Sequence, residues 1–303
     1  MARCFLSVKI CVIFNPAARG EKAARFREHL GALSAQCALK PTYAVGAGRT
    51  LAAEAIREGF ELVVAAGGDG TVNEVLNGIG DEPDGFARVC LGVLPLGTVN
   101  VFAKELGMPT KFGAAWEILQ RGREMLIDLP EAEFTAAGKT QRRCFAQMAG
   151  AGLDSHAIEL VDWQQKKRIG ALAYVVAGCK AVLGPRPQIV ASNGEKSIGG
   201  ELVLIGNGRF YGGTYRLFPG ADLRDGLLEV SVFPKADWGG LLRCGWGLLT
   251  DQLYTSGGIK HFQTASLRLD CAAPVPFHVE GENAGFLPVR FSVRPQKLRV
   301  VAP

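Results

Sequence analysis

Several classes of protein are excluded by what this 303-residue sequence lacks. Its eight cysteines are scattered, and none forms a CxxC pair, which argues against a zinc site or a disulfide framework and favours a reducing compartment. Lysine and arginine number 34 against 29 aspartates and glutamates, a net charge of +5 that is well short of the excess typical of nucleic-acid-binding proteins. We therefore expect no nucleic-acid partner.

Long apolar runs are also lacking. The apolar segment at 169–184 contains Lys180 and is too short to cross a bilayer. The amino-terminal segment could be mistaken for a signal peptide, but Lys9 interrupts it and Asn15–Pro16 ends it without a small-residue cleavage site, which favours a buried first strand. The sequence therefore predicts a cytoplasmic protein, with a peripheral position at a membrane left open.

What is present is the composition of a globular protein, with 48% hydrophobic and 21% charged residues, over a length typical of two domains. Through about residue 127, strand patterns alternate with helical patterns, as in a parallel sheet covered by helices. After Asp128, short strands separated by glycine, proline and asparagine indicate a mainly antiparallel β-sandwich, interrupted by helical patterns at about 157–183 and 237–254. We predict an α/β domain at 1–128 and the sandwich at 129–303. The sequence does not decide whether the last strand returns to the first domain.

The segment AAGGDGTVNEVLNGI at 65–79 follows a predicted strand and begins a predicted helix. Its glycines let the backbone turn sharply and approach a ligand, and the free N–H groups at the start of a helix attract phosphate. Thr71 and Glu74 also fit a capping box, which needs no ligand. Taken alone, the segment is consistent with either a structural turn or a phosphate site.

Two further turns resemble it in position, FNPAARG at 14–20 and LPLGTVNVFAKELGMP at 94–109. Each follows a predicted strand, and the carboxyl ends of parallel strands meet at one edge of the sheet, where ligands bind in open α/β folds. The three turns together predict a nucleotide cleft. Neither a GxxxxGK[ST] P-loop nor a complete GxGxxG motif is present, which argues against P-loop kinases and ordinary Rossmann dehydrogenases.

These three motifs, followed by FPGADLRDGLLEV at 218–230 and VEGE at 279–282, occur in the order found in the diacylglycerol kinase catalytic-domain superfamily. Nearly end to end, the chain resembles the soluble bacterial lipid kinases of that superfamily, which are related to sphingosine and ceramide kinases. The resemblance implies an α/β domain like that of NAD kinases and phosphofructokinases, a carboxyl-terminal β-sandwich that takes the lipid substrate, and an interdomain cleft for ATP and Mg²⁺.

The resemblance also implies roles for individual residues. Asp69 matches the carboxylate associated with the catalytic Mg²⁺, and Glu282 matches the general base that accepts the hydroxyl proton of the acceptor. A structural Mg²⁺ in related bacterial kinases implies metal ligands at Asp222, Asp225 and Leu227. The positions that match the nucleotide-binding motifs are Asn15, Gly67, Gly68, Asp69, Gly70, Thr71, Val72, Asn73 and Thr98.

Three positions depart from the family pattern. Val101 and Glu280 stand where many relatives have aspartate, and Val45 lies near a position where they tend to have threonine. His278 is interpreted as a strand-surface histidine, with an auxiliary role in acid–base chemistry as the alternative. The departures leave open a different acceptor or weak activity.

The leading hypothesis is an ATP- and Mg²⁺-dependent kinase of a diacylglycerol-like lipid alcohol that contacts a membrane surface transiently. The apolar helical pattern at 237–254 is one candidate for that contact, although leucines at helical spacing more often cover a sheet face. A soluble-substrate kinase of the NAD-kinase type and a non-catalytic nucleotide- or lipid-binding protein are the alternatives. The companion motifs argue against the first and the retained Asp69 and Glu282 against the second. A homodimer is left open.

Overall fold

The amino-terminal sheet is built from strands that are apolar on both faces. In a computed structural model, which describes residues 8–16, 21–160, 184, 186–236, 238–240, 247 and 258–303, every position of β1 (Ile10–Phe14), β3 (Leu62–Gly67) and β4 (Cys90–Pro95) is buried. Together with β2 (Ala38–Pro41), these strands pair in parallel in the order β2-β1-β3-β4. Burial on both faces is what a parallel sheet between helical layers requires.

Helices cover this sheet with their apolar faces. The longest of them, α4 (Asp69–Asp81), buries Val72, Val75, Leu76 and Ile79 against it. The other helices of this half are α1 (Glu21–Glu28), α2 (Leu30–Ser34), α3 (Ala47–Arg57), α5 (Gly85–Arg88), α6 (Val101–Glu105) and α7 (Phe112–Arg121).

The second half is mainly antiparallel sheet. Its elements are β5 (Arg123–Ala136), β6 (Lys139–Cys144), β7 (Met148–Gly152), α8 (Leu153–Leu160), β8 (Ile189–Ser192), β9 (Ser197–Gly200), β10 (Leu202–Gly206), β11 (Phe210–Tyr211), β12 (Tyr215–Arg216), β13 (Leu228–Phe233), β14 (Lys260–Thr264), β15 (Ser266–Asp270), β16 (Pro276–Val279), β17 (Glu282–Phe286) and β18 (Val289–Ala302).

Two layers of these strands face each other across one core. One layer is the six-stranded sheet β14-β13-β10-β7-β16-β17, and the other contains β5, β6, β18, β15, β8 and β9. Phe277 of the first layer packs edge-on against Phe134 and Phe291 of the second, with ring centroids 5.0 and 6.2 Å apart. The predicted architecture, an α/β domain with a parallel sheet followed by an antiparallel sandwich, is confirmed.

Two fourteen-residue strands, β5 and β18, run through both halves. The first part of β18 pairs antiparallel with β15, and its last part pairs in parallel with β4, where Val300 lies opposite Leu91. The last strand thus joins the amino-terminal sheet. Because β5 passes through residue 128 as continuous strand, the division at that residue stays a prediction.

Asp128 lies where the β5–β18 ladder is interrupted between Arg294 and Leu298. Its carboxylate is completely buried and accepts two backbone N–H groups, that of Gln296 at 2.7 Å and that of Gly226 at 2.6 Å. One side chain therefore accepts a backbone N–H group that the bulge leaves without a partner in the ladder, and it also fixes the loop before β13.

Some sequence-based predictions fall outside the described residues. The helical pattern at 157–183 is described only through the end of α8, and that at 237–254 only at 238–240 and 247. Among the helices of the described ranges, none is both long and apolar enough to cross a membrane.

Asp128→Asn is expected to lower the free energy of unfolding by about 1–3 kcal/mol. Both carboxylate oxygens of Asp128 accept a backbone N–H group, whereas asparagine has one accepting oxygen and would place its NH₂ group against the second backbone N–H. Urea denaturation in metal-free buffer measures the change. Asp270→Asn is the control, since the Asp270 side chain is 44% exposed and, among the described residues, pairs with Arg268 two positions away on the same strand, and it should change stability by less than about 0.5 kcal/mol. An Asp128→Asn variant as stable as the wild type would refute the assigned role.

Candidate active site

Two of the predicted turns pack backbone against backbone at the carboxyl edge of the parallel sheet. The N–H groups of Leu96 and Gly97 donate to the Gly67 carbonyl oxygen at 3.0 and 3.1 Å. A Cβ on Gly97 would lie 2.5 Å from the Gly68 Cα atom, and Thr71 occupies the space that a Cβ on Gly67 would need. Gly97 is thus required by the close approach of the two turns, and Gly67 by the side chain of Thr71 in its own turn.

The helix α4 begins at Asp69, with Gly68 as its N-cap and no capping side chain. The capping-box prediction is therefore wrong. Glu74 reaches the neighbouring helix instead, where its two carboxylate oxygens accept the N–H groups of Gly46 and Gly48, both at 2.8 Å, at the start of α3. A helix start without a side-chain cap keeps the anion-attracting character that the sequence predicted for this turn.

Asp69 is oriented by the start of α6. Its Oδ1 atom accepts the Phe102 N–H at 3.3 Å. Burial raises the pKa of Asp69, while the N–H groups of Asn100, Val101 and Phe102 oppose that rise. Val101, one of the departures from the family pattern, is itself buried and contributes no carboxylate. Asp69 is therefore the acidic side chain that α4 and α6 jointly place at this edge.

The second domain reaches the edge through the hairpin between β16 and β17. Its two turn residues, Glu280 and Gly281, both have positive φ, 54° and 75°, which defines a type I′ turn. Aspartate and asparagine adopt the backbone conformation of the first turn residue more readily than glutamate does. Glu280 therefore differs from the family's aspartate in its backbone preference as well as in its side-chain length.

Glu280 is held by the backbone of the segment between β6 and β7. Its Oε1 atom accepts the N–H groups of Ala146 and Gln147, each at 2.7 Å. Burial raises the pKa of Glu280 to about 7, and the nearby negative charge of Asp69 adds to the rise. The charge of Asp69, in the first domain, therefore acts on a buried carboxyl group of the second domain, an interaction that no sequence pattern indicated.

Glu282, the predicted general base, lies against the predicted phosphate turn. Its Oε1 atom would be 3.1 Å from a Cβ on Gly70, and its Oε2 atom lies 2.6 Å from the Nη2 atom of Arg143. The side chain is half-exposed. The structure thus brings Asp69, Gly70 and Glu282 together, and adds Arg143, which sequence reasoning missed because β6 carries no motif.

Two of the predicted nucleotide-binding residues have side chains that are buried in the protein. Val72 and Asn73 are 4% and 2% exposed on α4. One turn further along, the Asn77 side chain both donates to and accepts from the Cys144 backbone at 2.9 Å, which fastens α4 to β6. Asn15 and Thr98 are exposed at the sheet edge. Nucleotide binding by these residues stays a prediction.

His278 is not the surface histidine that its sequence position suggested, because α8 covers this face of β16. The imidazole is completely buried, its Nδ1 atom accepts the Gly281 N–H at 3.3 Å, and its Nε2 atom lies 2.8 Å from an oxygen of Asp154. The Tyr211 hydroxyl donates to the same oxygen at 2.7 Å. Burial alone would raise the pKa of Asp154, but His278 and Tyr211 outweigh it and hold that pKa below its usual value.

A buried glutamate ties α6 to the second domain. The Glu105 side chain is 3% exposed and accepts the Arg209 backbone and guanidinium N–H groups, both at 2.8 Å, and the Phe210 N–H at 3.2 Å. The helix α6 thus contacts Asp69 at its start and the second domain at its end. Hydrogen bonds and an ion pair of Glu105 therefore join the two domains on this side of the cleft.

The predicted structural metal loop lies beside Asp128 and the bulge of β18. Asp222 and Asp225 accept the N–H groups of Arg224 and Leu227 at 3.0 and 2.9 Å. Burial raises the pKa of Asp225, and the charges of Asp128 and Asp222 raise it further. A divalent cation would relieve that repulsion, so the oxygen donors here are compatible with Mg²⁺. Within the described ranges, no three His, Cys, Asp or Glu side chains form a metal-binding group.

Comparisons with known proteins agree with this arrangement. Residues 9–132 match the diacylglycerol kinase catalytic domain, and residues 147–302 match the YegS C-terminal NAD kinase beta sandwich-like domain. A Stenotrophomonas maltophilia protein named "Probable lipid kinase YegS-like" is 32% identical, over 88% of this chain and 87% of its own length. A Bacillus subtilis protein named "Diacylglycerol kinase" is 27% identical, over 96% and 95%.

Solved structures share the fold. A diacylglycerol kinase from Bacillus anthracis superposes with a TM-score of 0.70 at 18% identity, covering 97% of each chain. Yeast NADH kinase complexed with NADH superposes with a TM-score of 0.55 at 10% identity, over 98% of this chain and 84% of its own. At these identities the likeness concerns the fold alone.

Glu280→Gln is expected to become progressively more favourable for stability, relative to the wild type, as the pH rises. Between the ordinary glutamate pKa of 4.5 and about 7, the unfolded chain loses a proton that the folded protein retains, so the wild type loses stability with rising pH. The glutamine cannot ionise. The difference in the free energy of unfolding between the variant and the wild type should therefore change by roughly 2–3 kcal/mol between pH 4.5 and 7.5. Urea denaturation across this range, without nucleotide or metal, measures it. A difference that is constant with pH would contradict the assignment.

Proposed function

The chain belongs to the diacylglycerol kinase catalytic-domain family and is a kinase of the lipid-kinase type, and on that premise we propose that it transfers the γ-phosphoryl group of ATP, with Mg²⁺, to the hydroxyl of a diacylglycerol-like lipid. The observation that carries this proposal is the position of Glu282. It comes from the second domain and lies against Gly70 at the turn where α4 begins. The residue proposed as the proton acceptor and the turn proposed to bind phosphate, one from each domain, are therefore in contact.

Glu282 acts as the general base in this proposal. Its half-exposed carboxylate is accessible to an incoming alcohol, and the turn at Glu280–Gly281 fixes where it points. Accepting the hydroxyl proton makes the alcohol oxygen nucleophilic, an effect worth roughly 10²–10⁴-fold in rate. The attacking oxygen then forms a bond to the γ-phosphorus while the bond to the β-phosphate oxygen breaks, leaving ADP.

Asp69 would hold the catalytic Mg²⁺. Burial raises the pKa of its carboxyl, and a bound cation would offset that effect by favouring the ionised form. Bound Mg²⁺ supplies neutralisation of the charge on the transferring phosphoryl group. The backbone of the turn from Gly67 to Gly70, at the start of α4, would bind the phosphates.

The acceptor is assigned to the second domain. A lipid hydroxyl must approach Glu282 from a membrane surface, so we propose transient membrane contact. Trp238 is 45% exposed and lies in the apolar pattern at 237–254, most of which is outside the described residues. A homodimer stays a prediction.

Incubation with radiolabelled ATP, Mg²⁺ and mixed micelles of several lipid alcohols should place the label in a lipid product. Glu282→Gln should lower the rate of transfer by roughly 10²–10⁴-fold and leave ATP binding nearly unchanged, because the base acts after the nucleotide is bound. Glu195→Gln is the matched control, since Glu195 is exposed on the turn between β8 and β9 and should transfer normally.

Other outcomes of this assay distinguish the alternatives. Label only in a soluble acceptor would indicate an NAD-kinase-type activity, and ATP binding without transfer would indicate a non-catalytic protein. Near-normal transfer by Glu282→Gln would refute the assignment of the base.

The structural metal is proposed at Asp225, with Asp222 and Leu227 as the other ligands. Asp225→Ala should reduce phosphoryl transfer at limiting Mg²⁺ and lower the thermal midpoint more in Mg²⁺ than in EDTA, because the loss of the hydrogen bond to Leu227 is common to both conditions and only the wild type gains stability from the ion. Thermal melts and transfer rates across a Mg²⁺ titration measure both effects. If activity and the Mg²⁺ requirement are unchanged, the metal does not bind here.

A further inference from the structure

Arg143 places a positive charge close to a predicted nucleotide site whose assigned residues include no basic side chain. None of the nine positions assigned to the nucleotide is lysine or arginine, and one of them, Asp69, is acidic. ATP brings several negative charges to this turn, and its terminal phosphate gains more negative character on its outer oxygens during transfer. Backbone N–H groups supply only partial charges, so a cation close to the turn has a clear chemical use.

The guanidinium of Arg143 lies beside the first turn of α4. It contacts Glu282, whose other carboxylate oxygen lies against Gly70, and its Nη2 atom is 2.8 Å from the side-chain amide of Asn73. The side chain is partly buried, at 24% exposure. Arg143 thus lies beside the residues that are expected to bind phosphate and contacts Glu282, the proposed general base.

The neighbouring Arg142 shows that this placement follows from strand geometry. Successive side chains of β6 point to opposite faces, and Arg142 pairs with Glu133 and Glu131 on the outer face. Two adjacent arginines therefore differ in one respect that matters: Arg143 faces the cleft and Arg142 does not.

The ion pair between Arg143 and Glu282 involves the group that is proposed to accept the hydroxyl proton. The two side chains are 2.6 Å apart, so the guanidinium occupies one carboxylate oxygen of Glu282. A phosphate entering at Gly70 offers the guanidinium more negative charge and a geometry that its planar donors match. Moving the arginine to the phosphate would leave Glu282 free to accept the hydroxyl proton.

We propose that Arg143 binds the terminal phosphate of ATP, exchanging its ion pair with Glu282 for that contact when the nucleotide enters the cleft. The proposal rests on the proposed phosphoryl transfer and adds a phosphate-binding residue to it. A purely structural role, in which Arg143 only joins β6 to α4 and β17, makes a different prediction, because such a role does not distinguish ATP from ADP.

Arg143→Gln should weaken ATP binding by about 10- to 100-fold, the range expected for a lost charge-assisted hydrogen bond, and change ADP binding by less than about threefold. Isothermal titration calorimetry with each nucleotide at fixed Mg²⁺ measures the ratio of the two dissociation constants. Arg142→Gln should change neither. Arg143→Lys keeps the charge without the planar pair of donors and should retain part of the preference for ATP.

Equal weakening of ATP and ADP, or no weakening of either, overturns the inference. If Arg143→Gln does not fold, as judged by its urea transition, the same ratio measured for Arg143→Lys decides. A wild type that binds neither nucleotide overturns the proposed function together with this inference. A wild type that binds ATP and phosphorylates lipid, beside an Arg143→Gln variant with an unaltered ATP-to-ADP ratio, overturns the inference alone.

Discussion

The long antiparallel pairing of β5 with β18 is the constraint on which the rest of the structure depends. It makes the two domains share one continuous layer of sheet, because both strands pass from the sandwich into the α/β half. A flexible linker would leave the relative position of the domains to weak surface contacts. Here backbone hydrogen bonds set that position, and the buried Asp128 stabilises the point at which the ladder is interrupted.

The cleft inherits its geometry from this shared layer. Once the domains are fixed, the hairpin of β16 and β17 can bring Glu280 and Glu282 to the start of α4, and Glu105 and Asn77 fasten the two sides of the cleft. The acidic groups at this boundary come from elements far apart in the chain. The ionisation of Glu280 is coupled to folding because its burial and its proximity to Asp69 arise only when both domains are in place.

Much of the fold followed from local patterns, whereas several contacts in the site did not. Strand and helix periodicity sufficed for the parallel sheet and the sandwich, and the glycine-rich turns lie at the sheet edge where the sequence predicts a ligand to bind. Glu74 was assigned to its own helix because the capping box is a local pattern, while its real partners, Gly46 and Gly48, belong to a different helix. His278 could not be recognised as buried, because its cover, α8, comes from a segment more than 100 residues earlier.

The position of the last strand also bears on how the protein can be synthesised. The strand β4 is an inner strand only when residues near Val300 lie beside it, and until these have emerged from the ribosome it presents an open, fully apolar edge. Such edges pair readily with other chains. A fragment ending at residue 128 would keep that edge permanently, and would also lack the partner strand for most of β5. The α/β half is therefore a domain by architecture but not an independent unit of folding, and its sheet is completed only after the residues near Val300 have been synthesised.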